Sequence, residues 1–164
     1  IKKTEYETGV EHTHAQFRQV NKNKRGNYLI PVFQTSDIRE VSPNGDLIKS
    51  VKVPGNPFCA VPLPNGNLLV ACGDAHQYIE LNFDKEIIVR TVTEKQITGA
   101  PLSFVAEMFP EKDGGIYICN WQGHGGEAPG GYPKLIELNK KGKMVWSLSD
   151  YKETGMISAV CPLN

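Results

Sequence analysis

Gly66-Asn67-Leu68-Leu69-Val70-Ala71, with Ile79-Glu80-Leu81-Asn82 behind it, decides the fold because the chain repeats it. The earlier copy is Gly26-Asn27-Tyr28-Leu29-Ile30-Pro31 with Ile38-Arg39-Glu40-Val41-Ser42. The later copy is Gly114-Gly115-Ile116-Tyr117-Ile118-Cys119 with Leu135-Ile136-Glu137-Leu138-Asn139. The opening glycines stand 40 and then 48 residues apart. A period of about 40–50 residues is the mark of a propeller, a solenoid or an array. From glycine to the shared glutamate is 14 residues in the first two copies and 23 in the third. The nine extra residues fall in one loop, around Gly123-His124-Gly125-Gly126-Glu127-Ala128-Pro129-Gly130-Gly131.

Each copy holds four strand-like runs. The first runs are Gln16–Val20, Phe58–Leu63 and Phe104–Phe109. The second runs are Asn27–Phe33, Asn67–Cys72 and Gly115–Asn120, apolar throughout rather than alternating, as a strand covered on both faces should be. The third runs carry Glu40, Glu80 and Glu137. The fourth are Leu47–Val53, Ile87–Val92 and Met144–Leu148. Turns rich in Gly, Asn, Asp and Pro separate them, and no window keeps a helical apolar period. Four short antiparallel strands per repeat describe a propeller blade. The predicted fold class is therefore all-β, a β-propeller of three complete four-stranded blades.

The ends extend the pattern. Glu5-Tyr6-Glu7-Thr8-Gly9 resembles Asp150-Tyr151-Lys152-Glu153-Thr154-Gly155, which closes the third blade. Ser158-Ala159-Val160-Cys161-Pro162-Leu163-Asn164 resembles the opening strand of the second, Cys59-Ala60-Val61-Pro62-Leu63-Pro64-Asn65. The predicted organisation is residues 1–10 as the last strand of a preceding blade, blades at 11–55, 56–101 and 102–155, and 156–164 as the first strand of a following one. A ring takes about 4–8 blades. Three blades are thus read as part of a ring closed by the rest of a longer chain or, as a second account, by a homo-oligomer. The chain opens on Ile1 with no visible signal peptide, so its start is read as removed by processing or by design.

The chain has 164 residues, 40% of them hydrophobic and 22% charged, as in a globular domain. A formal net charge of +0 argues against a nucleic-acid partner, which rewards a basic surface. No apolar run is long enough for a membrane-spanning helix. Of the four cysteines, Cys72 and Cys119 occupy equivalent places in successive blades, as do Cys59 and Cys161. Stacked sheets lie about 10 Å apart, too far for a disulfide, so buried free thiols are expected.

Loop assignment locates function. In a propeller the loops joining second to third strands, and the links between blades, share one face. His12 and His14 fall in a link, and Asp74 and His76 in the second-to-third loop of blade two. Trp121, Gln122 and His124 fall in that loop of blade three. All four histidines therefore share one face, and loops on a rigid scaffold are where binding residues gather. On extended chain the i, i+2 spacing of His12 and His14 would point both rings the same way, as two metal ligands or as polar loop residues. Asp74 and His76 could pair as base and orienting carboxylate, or as a loop hydrogen bond. Trp121, Gln122 and His124 offer a stacking platform with polar neighbours, or a Trp that packs the glycine-rich insertion. Glu40, Glu80 and Glu137, one per blade, read as structural, and Lys22, Lys24 and Arg25 on the opposite face read as solvated surface. No catalytic residue, metal site or cofactor is assigned.

Gly-Asn-x-Leu-Val followed by Glu-Leu-Asn, and Gly142-Lys143-Met144-Val145-Trp146 above all, resemble the pyrroloquinoline-quinone-like and arylsulfotransferase-like bacterial β-propeller superfamily. Cys119-Asn120-Trp121-Gln122-Gly123-His124-Gly125 is similar to a segment of surface or secreted propellers of that group. The resemblance implies six to eight blades and an extracytoplasmic location, whether periplasmic, cell-surface or secreted. It does not imply the quinone, because the vicinal cysteines of the quinoprotein dehydrogenases do not occur here. The expected function is a non-catalytic ligand-binding or scaffold propeller of an exported bacterial protein. It would bind a glycan or a protein through His12, His14, Asp74, His76, Trp121, Gln122 and His124. The alternative is an enzyme, a transferase, lyase or lactonase-type hydrolase with histidines or a metal at the channel mouth.

Overall fold

The computed structural model of the chain describes residues 3–121, 132–149, 155 and 157–162. Gln122, His124 and the rest of the nine-residue insertion lie outside the described residues. Three four-stranded antiparallel sheets form the three blades, each in simple sequential order. Blade one holds β1 (Asn21–Lys22), β2 (Tyr28–Val32), β3 (Asp37–Val41) and β4 (Leu47–Lys52). Blade two holds β5 (Cys59–Pro62), β6 (Leu68–Ala71), β7 (Gln77–Asn82) and β8 (Ile87–Thr93). Blade three holds β9 (Phe104–Pro110), β10 (Ile116–Trp121), β11 (Leu135–Leu138) and β12 (Met144–Leu148). The fold is all-β and the blades are those of a propeller.

The apolar second strands have the reason expected of them. Leu68 and Val70 of β6 pack on Leu29, Ile38 and Val51 of blade one. Their neighbours Leu69 and Ala71 point the other way, onto Val105, Met108, Ile118 and Ile136 of blade three. Alternate side chains on one strand thus feed two inter-blade cores.

The repeated glutamate proves to be a latch. Glu40 accepts hydrogen bonds from Nδ2 of Asn23 and of Asn27, both at 2.7 Å, and pairs with Arg25 at 3.1 Å. Glu80 accepts from Asn67 at 2.6 Å and Asn65 at 2.9 Å. The asparagine of the Gly-Asn phrase is therefore the donor that the glutamate needs, tying the first turn to the third strand. Blade three has Gly115 where the others have Asn27 and Asn67, so Glu137 lacks that asparagine and takes a hydrogen bond from the Tyr117 side chain instead. In every blade a β-bulge follows immediately, at Glu40/Val41, Glu80/Leu81 and Glu137/Leu138. The extra residue on the outer strand is Ile48, Val89 or Val145, each exposed like a neighbour on the same outer strand. The bulge is a repeated feature with no obvious sequence signature.

Several expectations are corrected. The first strand of blade one was expected at Gln16–Val20, but its paired residues are Asn21–Lys22. Gln16 still meets Phe33 (Phe33 N–H to Gln16 carbonyl, 2.7 Å), so the run lies beside β2 with one residue too many between the two contacts. Pro31 shares Phe33's side of β2 and has no N–H to give, so the ladder breaks there. Residues 3–10 form no strand. They lie against blade one, where Arg39 donates to the Tyr6 hydroxyl at 3.0 Å and the Thr8 carbonyl at 2.6 Å. The basic cluster is also more than solvated surface: besides its bond to Glu40, Arg25 reaches Asp84 of blade two at 3.3 Å, and Lys24 donates to the Pro64 carbonyl at 3.0 Å.

No disulfide forms among the four cysteines. Cys59, Cys72 and Cys119 are buried, and burial pushes each thiol up to about 12. Cys161, expected to be buried, is exposed. A thiol far above its ordinary pKa is a poor nucleophile. Titration of the native protein with a chromogenic disulfide is therefore expected to modify Cys161 alone, and all four cysteines in denaturant. Rapid modification of a second thiol under native conditions would contradict this packing.

Two carboxylates make stability depend on pH in opposite directions. Burial pushes Asp37 up, but the hydroxyls of Thr35 (2.7 Å) and Ser50 (2.8 Å) and the Arg39 guanidinium outweigh it and hold the carboxyl below its ordinary range. A depressed value means that Asp37 stabilises the fold above the ordinary carboxylate pKa and that this contribution is lost as pH falls through the folded value. Burial pushes Glu107 of β9 up, although the Val160 N–H (2.7 Å) and the Gln19 amide donate to it. Its contribution is fully present below the ordinary value and is lost as pH rises through the folded one. Urea unfolding between acid and neutral pH tests the first. Asp37→Asn is expected to cost about 1–3 kcal/mol at neutral pH and to flatten the acid side of the profile, whereas an unchanged acid limb would exclude Asp37 as its source.

Candidate ligand-binding cleft

A cleft of about 320 Å³ opens where the three blades meet on the loop face. Its walls come from every part of the chain. Blade one sends Phe33 from the end of β2, and its lead-in sends His14 and Arg18. Blade two sends Phe58, just before β5, and Asp74 from the loop after β6. Blade three sends Phe104 and Trp121, and Ser158 of the following segment completes the rim.

Phe104 is the floor. It is 5% exposed and lies 5.4 Å from Phe58 and 5.2 Å from Trp121, both edge to face, and 6.4 Å from Phe33 in a stacked arrangement. These geometries are the favoured ones for aromatic pairs. The repeat makes the room. Seven residues after each blade glycine stand Phe33, Gly73 and Trp121. At Gly73 a Cβ would lie 2.9 Å from the Phe104 ring and 2.5 Å from the Asn56 carbonyl, and φ is +39°. Only glycine lets Phe104 lie between two large rings. Buried Asn120 fixes the far wall: it accepts from the Ser103 N–H at 2.7 Å and donates to the carbonyls of Pro101 (2.9 Å) and Pro133 (2.8 Å).

Arg18 lies over Phe58, its guanidinium carbon 5.9 Å from the ring centre, and donates to the carbonyls of Phe17 (3.3 Å) and His14. It makes no ion pair among the described residues, and neither does Asp74.

Of the seven residues singled out in the sequence, His14, Asp74 and Trp121 line this cleft. Gln122 and His124 lie outside the described residues. His12 does not line the cleft, because its segment is not extended. A 3-10 turn over Thr13–Ala15, with His12 at its N-cap, sets the His12 and His14 rings edge-on with centres 6.3 Å apart. His76 and Asp74 do not hydrogen-bond to each other. The chain turns through Cys72–Ala75, with His76 at φ +52°, and the His76 Nδ1–H donates to the Ser103 carbonyl instead. That bond ties blade two to the start of blade three. Among the described residues, no group of three or more His, Cys, Asp or Glu side chains is placed to hold a metal ion. Sequence reasoning missed Arg18, Phe33, Phe58, Phe104 and Ser158. Aligning the repeat seven residues past its glycine would have found Phe33.

No curated protein matches the chain. Among solved structures it is similar to a protein of unknown function from Bacteroides caccae, at 55% identity and a TM-score of 0.91. The match covers 96% of this chain and 58% of that one, so the chain spans little more than half the length of that relative. Virginiamycin B lyase from Staphylococcus aureus is similar at 11% identity and a TM-score of 0.60, over 88% of this chain and 44% of the lyase. A gluconolactonase from Xanthomonas campestris is similar at 10% identity and a TM-score of 0.58, over 78% of this chain and 46% of that one. At such identities the likeness is one of fold, and the propeller implied by the sequence resemblance stands. A model of the Mal s 1 allergenic protein-like family matches residues 2–143. The chain belongs to the Mal s 1 allergenic protein-like family.

Proposed function

We propose that this chain supplies the ligand-binding face of a larger β-propeller and that the ligand is a glycan held in the aromatic cleft without chemical change. The observation that carries this reading is the cleft itself: four aromatic rings from three blades, edged by His14, Arg18, Asp74 and Ser158. Its volume of about 320 Å³ falls within the usual range for small-ligand pockets, about 300–1,000 Å³. Sugars present apolar C–H faces to rings and hydroxyls to polar rims, which is the chemistry on offer. A protein partner would call for a broader surface, roughly 800 Å² per side. The rest of the ring, six to eight blades in all, is assigned to a longer chain rather than to a homo-oligomer, a reading supported by a relative of which this chain spans 58%. A glycan ligand accords with an exported protein, as does the resemblance to quinone-like and arylsulfotransferase-like bacterial propellers.

One observation favours an enzyme as second reading. His14 and Asp74, both able to move protons, line the same cleft. A thermal-shift screen of glycans against the chain separates the two. The binding reading expects a glycan to raise the melting temperature, Trp121→Ala to abolish the shift, and the glycan to be recovered intact. Turnover of the glycan would establish the enzyme, and an undiminished shift in Trp121→Ala would remove the cleft from consideration.

A further inference from the structure

We infer that the cleft selects acidic sugars, units carrying a carboxylate or sulfate, and that Arg18 is the residue that reads the acid. The inference rests on the glycan reading and adds charge selectivity to it. A guanidinium has five N–H donors in a rigid fork. In Arg18, donors go to the carbonyls of Phe17 and His14 and the guanidinium carbon lies over the Phe58 ring. These contacts hold the group in place without neutralising it. Two other arginines are spent differently: Arg25 pairs with Glu40 and Asp84, and Arg39 with Asp37, whereas Arg90 of β8 lies outside the cleft. Among the described residues neither Arg18 nor Asp74 makes an ion pair although both line the same cleft, so each can take its counter-group from a ligand. An oriented fork with no acid partner among the described residues matches a carboxylate or sulfate. Asp74 and Ser158 remain to take hydroxyls, and Phe104 and Trp121 the ring face. The chain's formal net charge is +0, so selectivity for acids would come from this residue and not from the overall field.

Calorimetric titration of the chain with trigalacturonate, with its full methyl ester, and with a monosulfated galactose disaccharide against its unsulfated form tests this. Wild type is expected to bind at least one acid form about tenfold more tightly than its neutral counterpart. Arg18→Ala and Arg18→Gln should each remove that preference while still binding the neutral form, and Arg18→Lys should keep part of it. Carboxylated and sulfated probes report which acid is read. Equal binding of acid and neutral forms by wild type, or a preference that survives in both Arg18→Ala and Arg18→Gln, would overturn the inference and leave the glycan reading standing. Failure of all four probes to bind wild type would overturn the inference, and if a neutral-glycan screen were also blank, the glycan reading with it.

Discussion

Replacing Phe104 by alanine is expected to cost about 3–5 kcal/mol of stability. Phe104 is 5% exposed and meets one ring from each of three directions, Phe33, Phe58 and Trp121. Truncation would leave a hole that these rings cannot fill, since Phe33 and Phe58 are anchored in different blades. Ligand binding at the cleft should fall with stability, because the floor and both walls share this side chain. Gly73→Ala approaches the same contact from the other side. It adds one methyl group 2.9 Å from the Phe104 ring, at a backbone φ of +39° that disfavours side chains. Urea unfolding measures both variants. A loss below about 1 kcal/mol for Phe104→Ala would mean that the aromatic cluster is not packed as described.

The second large effect is graded across the repeat. Glu40→Ala is expected to cost about 2–3 kcal/mol, because it strips Asn23, Asn27 and Arg25 of a shared acceptor that is almost wholly buried. Glu80→Ala should cost less, since Asn65 and Asn67 are its donors and the residue is only half-buried. Glu137→Ala should cost least, because Gly115 replaces the asparagine. Equal losses at the three positions would contradict the latch, and so would a loss at Glu40 unaccompanied by any loss in Asn27→Ala.

The two predictions separate what the sequence could disclose from what it could not. Glu40, Glu80 and Glu137 were legible as structural because they recur, and recurrence is what a blade-building role produces. Their mechanism was equally legible in the asparagine 13 residues upstream of the first two. The blades followed from the same logic, with apolar second strands and glycine turns reporting burial on both faces. The bulge after each glutamate was not legible, because it is a matter of register between two strands and not of residue type. Pro31 could have been read as a break in the ladder, yet only the pairing of Gln16 with Phe33 shows which side of β2 it faces.

The cleft was half legible. Loop assignment brought His14, Asp74 and Trp121 to one face, and all three line it. The i, i+2 arguments for His12 with His14 and for Asp74 with His76 assumed extended chain, and local turns undo both. Phe58 and Phe104 looked like ordinary strand residues, because nothing in a single strand says that its neighbours two blades apart will converge. Arg18 was passed over as one charge among 18 basic residues. Its place in the cleft beside Phe58, with no acid partner among the described residues, exists only in three dimensions.

The central claim is that ligand recognition sits where the repeat fails, at Phe33, Gly73 and Trp121, and not at the glutamates that it keeps. The chain has two tryptophans, Trp121 in the cleft and Trp146 on the outer strand of the same blade. Trp146→Phe leaves Trp121 as the sole emitter, and Trp121→Phe leaves Trp146. Fluorescence titration of both variants with an acidic oligosaccharide is the most direct test. A saturable change in Trp121 emission, with Trp146 silent, is the predicted result, and a response confined to Trp146 would contradict the assignment of the site.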